Sequence, residues 1–157
     1  MENIDIIAME KAIEQSSCFL NHPQNGPFGA VIVKNDKIIS KAHNTVVNSN
    51  DPTAHAEINA IRLACQKLKT HDLSGCKIYT SCEPCPMCLS AIIWANIKDI
   101  YYANTKEDAF QIGFRDDLIY EYIKGNKKDL INMHHIENEN AQKVFADFKN
   151  NKDSILY

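Results

Sequence analysis

One imidazole, two thiols and one carboxylate, set in two short stretches, constrain this chain more than any other feature. The stretches are Thr53-Ala54-His55-Ala56-Glu57 and Cys82-Glu83-Pro84-Cys85-Pro86-Met87-Cys88. His55, Cys85 and Cys88 make a three-donor set. A zinc site with three protein donors keeps a coordination position open, whereas a structural site normally closes with four. The fold must therefore bring two distant segments together at a point that a substrate can reach. Cys85 and Cys88, three residues apart at a helix start, can aim both sulfurs at one ion. Pro84 and Pro86 suit a first turn, where a missing N–H costs nothing, and Leu89, Ala91, Ile92, Ile93 and Trp94 continue the helix. That end carries the positive pole of the helix dipole, which favours thiolates. The other motif reads the same way, with Asp51 or Thr53 as cap, Pro52 in the first turn, and an apolar stripe of Ile58, Ile61, Ala64, Cys65 and Leu68. His55 and Glu57, two apart, would face roughly opposite sides of an ideal helix. Both serve one site only if it lies off the helix N-terminus, with the second helix aiming its own N-terminus at the same spot.

Two thiolates and an imidazole select Zn2+ over harder ions. Zinc brings a bound water to a pKa of about 7. Glu57, not needed as a donor, is then free to carry protons between water and substrate. His-x-Glu followed by Pro-Cys-x-x-Cys is the pattern of zinc enzymes that remove the amine of a nucleobase by hydrolysis. Other uses of these residues compete. Cys82, Cys85 and Cys88 repeat at three-residue intervals, so a three-cysteine donor set is an alternative; the place of Cys82 at the end of a strand-like Lys77–Ser81 run leaves it out. A dithiol redox pair also uses Cys-x-x-Cys, as does a zinc-stabilised binding module, although a module has no use for a non-ligand carboxylate. Cys18, Cys65 and Cys76 read as buried small hydrophobes. His22, His43, His71, His134 and His135 have no partner at ligand spacing.

The 157 residues suffice for one domain over 1–157 with a full core. With 45% apolar and 24% charged residues the composition is that of a globular protein. Seventeen basic against twenty acidic residues give a net charge of −3. No long basic run is present, which argues against a broad nucleic-acid footprint. The sequence carries neither a signal peptide nor an apolar stretch of membrane-spanning length, so a reducing, cytoplasmic setting without membrane contact is expected. Periodicity predicts a helix over Ile4–Cys18, then a hairpin of Ala30–Lys34 and Lys37–Ala42 turning at Asn35-Asp36. The His55 helix, a strand at Cys76–Ser81, the Cys85 helix and a strand near Asp99–Ala103 follow. Beyond them come helices from Lys106, over Asp116–Ile123 and over Glu139–Lys149, with a fifth strand at Met133–Ile136. That order predicts an α/β fold, a three-layer αβα sandwich around a mixed five-stranded central sheet, with the site at the strand ends where helices begin.

Four blocks carry a family resemblance: Gly26-Pro27-Phe28-Gly29-Ala30-Val31-Ile32-Val33, Ser49 to Glu57, Tyr79 to Cys88, and Gly113-Phe114-Arg115-Asp116-Asp117. The chain resembles the cytidine deaminase-like superfamily and, within it, the small bacterial guanine deaminases; the zinc motifs mark the superfamily, the Gly113–Asp117 block and Tyr157 the narrower group. The resemblance implies attack at C2 of guanine, giving xanthine and ammonia. It also implies that Asn44 hydrogen-bonds the purine, that Phe28 packs on the ring, and that Asp116 stands beside Glu57 as a second acid–base group. It further implies a homodimer that exchanges C-terminal segments, with Trp94 and Tyr157 helping to enclose the site. Arg115 replaces an acidic residue of the family pattern, which leaves Asp116 and Asp117 as alternatives for that role. On residue chemistry alone Asn44 can be a turn former, Phe28 and Trp94 core aromatics, and Asp116-Asp117 a helix cap. A tRNA adenosine deaminase shares the zinc motifs and is the leading alternative, with deaminases of cytosine, guanosine or another aminated purine-like ring beside it.

Overall fold

A computed structural model describes residues 3–157. The chain divides into two compact units, one running to Tyr120 and one from Glu121 to Tyr157. In the first unit, helix α1 (Asn3–Ser16) runs into a 3-10 turn at Ser17–Leu20, and strands β1 (Gly29–Lys34) and β2 (Lys37–His43) form a hairpin. Asn35 and Asp36 both adopt positive φ, which a two-residue hairpin turn requires and which Asn and Asp tolerate best after glycine. A short helix α2 (Val46–Ser49) precedes α3 (Ala56–Leu68), β3 (Cys76–Cys82), α4 (Pro86–Trp94), β4 (Asp99–Asn104) and α5 (Lys106–Gln111).

The sheet order is β2-β1-β3-β4. β1 pairs antiparallel with β2 and with β3, and β3 pairs parallel with β4, so the sheet is mixed as expected. Alternation along β1 explains the layers. Val31 and Val33, with Tyr79, pack under Ala8 and Ala12 of α1. Ala30 and Ile32, with Ile78, pack under Ala56, Ala60 and Ala64 of α3 and Ile92 of α4. The result is helix, sheet, helix. Small residues let the helices lie close. Gly29 is the extreme case, because a Cβ there would stand 2.1 Å from the Ala12 carbonyl oxygen of α1. On the same side Asp5 is buried, hydrogen-bonded by the Tyr79 hydroxyl and 3.4 Å from Lys77 Nζ.

Helix α6 (Asp117–Ile123) leads into the second unit, which holds α7 (Glu139–Asn150). Asn138 caps α7, its Oδ1 accepting from the N–H groups of Asn140 and Ala141. The sheet has four strands, not the expected five, because Met133–Ile136 carries no strand pairing. Met133 and Ile136 are three apart and would point to opposite faces of a strand, so the segment offers no single apolar side to bury. Both are more than 80% exposed. Among the described residues no helix is long and apolar enough to cross a membrane.

Candidate active site

The two zinc-type motifs meet at two helix starts, as their spacing demands. His55 is the N-cap of α3 and Cys85 the N-cap of α4. The first helix therefore begins later than a cap at Asp51 or Thr53 implied. Asp51 instead closes a turn, accepting from the Thr53 N–H and hydroxyl, and meets Arg62 at 3.3 Å. His55 makes no side-chain capping bond, which leaves its ring free to face the cysteines. Asn59, one turn along α3, donates to the carbonyls of His43 and Ala54 and to the Thr45 hydroxyl at 3.0–3.3 Å. That single side chain fixes the loop that delivers His55.

His55 Nδ1 lies 3.6 Å from Cys85 Sγ and 3.5 Å from Cys88 Sγ. The three donor atoms lie within 4.8 Å of one another. One imidazole and two sulfurs converging from two helix ends suit a zinc ion, and the residues present fit one. Cys82 does not join them: it is buried at the end of β3, and its Sγ bonds the Thr105 carbonyl at 3.5 Å. Burial pushes its thiol up to about 11, whereas a hydrogen bond from Cys88 draws Cys85 down to about 4, with His55 adding to the effect. Cys88 moves the other way, raised by that same bond with Cys85 and by burial. His55 is raised by its bond to Cys85.

Glu57, in the first turn of α3, is buried, and Cys88 Sγ stands 3.4 Å from its Oε2. Burial pushes its carboxyl up to about 7, where one group can both take and give a proton at neutral pH. His55, Glu57 and Cys85 open into a cavity of about 550 Å3, lined also by Asn25, Phe28, Asn44, Phe114 and Asp116. Burial raises the carboxyl of Asp116 too, with the charge of Cys85 acting in the same direction. Phe28 and Phe114 meet edge to face with ring centres 4.7 Å apart and form an aromatic wall. Asn44 Oδ1 accepts from Gly26 N at 3.4 Å and Val46 N at 3.2 Å, which turns its Nδ2 donor away from the backbone.

Six of the nine residues singled out in the sequence thus surround or open onto one cavity, and Cys88 completes the metal triangle just behind it. Trp94 sits at the end of α4, 65% exposed, and is not among the cavity's lining residues. Tyr157 ends the second unit and is 83% exposed. Asp117 is the first residue of α6 and pairs with Arg115 at 3.6 Å, so Asp116 rather than Asp117 lines the cavity. Asn25 and Asn59 escaped the sequence reading. Asn59 follows His55 by one helical turn, and Asn25 stands immediately before the Gly26-Pro27-Phe28-Gly29 block; those positions were the available signals.

Residues 2–104 match the family model for the cytidine and deoxycytidylate deaminase zinc-binding region. The chain is 50% identical over 115 residues to the guanine deaminase of Bacillus subtilis, an alignment covering 73% of this chain and 74% of that protein. The crystal structure of guanine deaminase from Bacillus subtilis superposes with a TM-score of 0.92 at 40% identity, covering 100% of this chain and 99% of the other. A tRNA-specific adenosine deaminase of Aquifex aeolicus is 49% identical over 77 residues, 49% of this chain and 51% of that one. With its donor triangle, its buried glutamate and this match over most of its length, the chain belongs to the zinc-dependent cytidine and deoxycytidylate deaminase family.

Proposed function

We propose that this enzyme hydrolyses guanine to xanthine and ammonia. One arrangement carries the reading: a buried carboxyl, Glu57, opens beside the donor triangle into a cavity whose walls include aromatic and amide side chains suited to a planar, hydrogen-bonding base. Similarity along the whole chain to a guanine deaminase supports the choice of base. Held by His55, Cys85 and Cys88, zinc supplies a Lewis acid that brings the pKa of a water to about 7. Glu57 removes a proton from the attacking water and passes it to the ring nitrogen beside C2. Oxygen bonds to C2, Glu57 carries the remaining proton of that oxygen to the amine, and the C2–N bond breaks as C2=O forms, its electron pair leaving on ammonia. Asp116 borders the same space as a second proton-carrying group, Phe28 packs on the ring face, and Asn44 Nδ2 donates to the purine.

The same reading includes a homodimer. Val144, Phe145 and Phe148 of α7 are exposed, as are Ile155, Leu156 and Tyr157 after it. An apolar helix face and an apolar tail of this kind find cover on a second copy, and the exchanged segment brings Tyr157 of one copy over the site of the other, near Trp94. Six free thiols, two of them in the metal site, suit a reducing cytoplasmic setting. The test is an ultraviolet scan with coupled ammonia release, in which zinc-loaded protein meets guanine, guanosine, cytosine, adenine and an adenosine-containing anticodon stem-loop. Guanine turnover dominates if the reading holds. Activity confined to the stem-loop replaces it with RNA editing.

A further inference from the structure

Asn25 is 4% exposed and lines the active-site cavity. Its Oδ1 accepts from the backbone N–H of Asn48 at 3.4 Å, which fixes the direction of the amide. Its Nδ2 is buried with no hydrogen-bond partner among the described residues, and it alone has this condition among their buried side-chain nitrogens and oxygens. Buried donors are almost always satisfied, so an orphan in a cavity wall asks for an acceptor that arrives from outside the chain. The surrounding strap is well held. Gln24 donates to Asn48, Gly26 N donates to Asn44 Oδ1, and a Cβ on Gly26 would stand 2.9 Å from the Phe28 ring and 3.3 Å from that of Phe114. The Gly26–Asn44 bond also sets the two asparagine amides at neighbouring points of one wall.

We propose that Asn25 is a specificity-determining residue whose Nδ2 donates to the 6-oxo group of the base. The inference rests on the guanine reading above. Guanine has a single exocyclic acceptor, and its oxygen carries two lone pairs, enough for Asn44 and Asn25 together. A site built to hydrogen-bond such a group rejects analogues that lack it, because its own donor is then left buried and unpaired. 2-Aminopurine is the natural probe: it keeps the reacting C2 amine and lacks the 6-oxo group.

The experiment measures kcat/KM for guanine and for 2-aminopurine with zinc-loaded wild type, Asn25→Asp and Asn25→Ala, using a competitive Ki for 2-aminopurine where its turnover is too slow. Asn25→Asp keeps the acceptor for Asn48 and removes the donor, while Asn25→Ala removes the donor without adding charge. Circular dichroism and zinc content establish that each variant is folded and loaded. The expected result is a loss of about 10- to 100-fold on guanine with 2-aminopurine within about threefold of wild type, in whichever variants fold. Equal losses on both bases, or no loss on guanine, overturn the proposal and leave Asn25 as a clip for the strap. If both variants fail to fold or to load, the role is structural and the proposal is likewise overturned. Wild type that leaves guanine untouched overturns the guanine reading and this inference with it, an outcome distinct from the others because it precedes any substitution.

Discussion

Glu57 and Cys82 border one cavity and illustrate how little separates a working group from a bystander. Both are buried and both line the cavity. Glu57 faces the donor triangle through Cys88, whereas the Cys82 thiol is tied to the Thr105 carbonyl and held protonated by burial. Glu57→Gln should therefore keep one zinc per chain and lose about 10²- to 10⁴-fold in kcat, read by metal analysis and steady-state rates. Cys82→Ser should also keep its zinc, whereas Cys85→Ser should not; loss of metal from the Cys82 variant would restore the three-cysteine alternative. The motifs made the triangle legible because residue type and local spacing are all that it needs. Asn25 was illegible because nothing in a Gln24-Asn25-Gly26 run says that the amide ends up buried in a cavity wall. That fact depends on Asn48 and on Phe114, which packs with Phe28 behind Gly26, and both are remote in sequence.

At the scale of elements, the hairpin, the four strands and the main helices fall where periodicity and turn residues put them, because each is specified by its own segment. Asn35 and Asp36 supply the positive φ of the turn, and β1 buries one alternate set of side chains on each face. The errors arise where an element depends on a partner. A fifth strand at 133–136 has no pairing, and the cap of α3 is a metal-facing histidine rather than Asp51, whose carboxylate is occupied by its own turn. Gly29 shows how tightly one helix sits on the sheet. Gly29→Ala would drive a methyl group into the Ala12 carbonyl and the backbone nitrogen of Ser16, both fixed by α1. A destabilisation of about 1–3 kcal/mol is expected, seen as a lower midpoint in urea with an unchanged slope. An unchanged midpoint would mean that α1 yields at no cost.

For the whole molecule, the C-terminal unit makes the sharpest demand on assembly. Phe145 is 79% exposed in the middle of α7, and if that face is covered by a second copy, Phe145→Glu places a charge in an apolar contact. Light scattering should then report a monomer where the wild type is a dimer, with guanine turnover reduced in the same sample. A variant that remains dimeric and active would remove α7 from the interface. The first unit carries a different consequence, one of timing. Its buried Asp5 bonds Tyr79 across 74 residues, Gly29 bonds Ser81 across 52, and Cys88 meets Glu57 across 31. Contacts so distant along the chain form slowly, because the loop between them must close before either end gains anything. On the ribosome, α1 and the first hairpin must wait with an uncovered face and a solvated Asp5 until β3 emerges. The nascent enzyme is thus most open to aggregation and to chaperone capture in the interval before its third strand arrives.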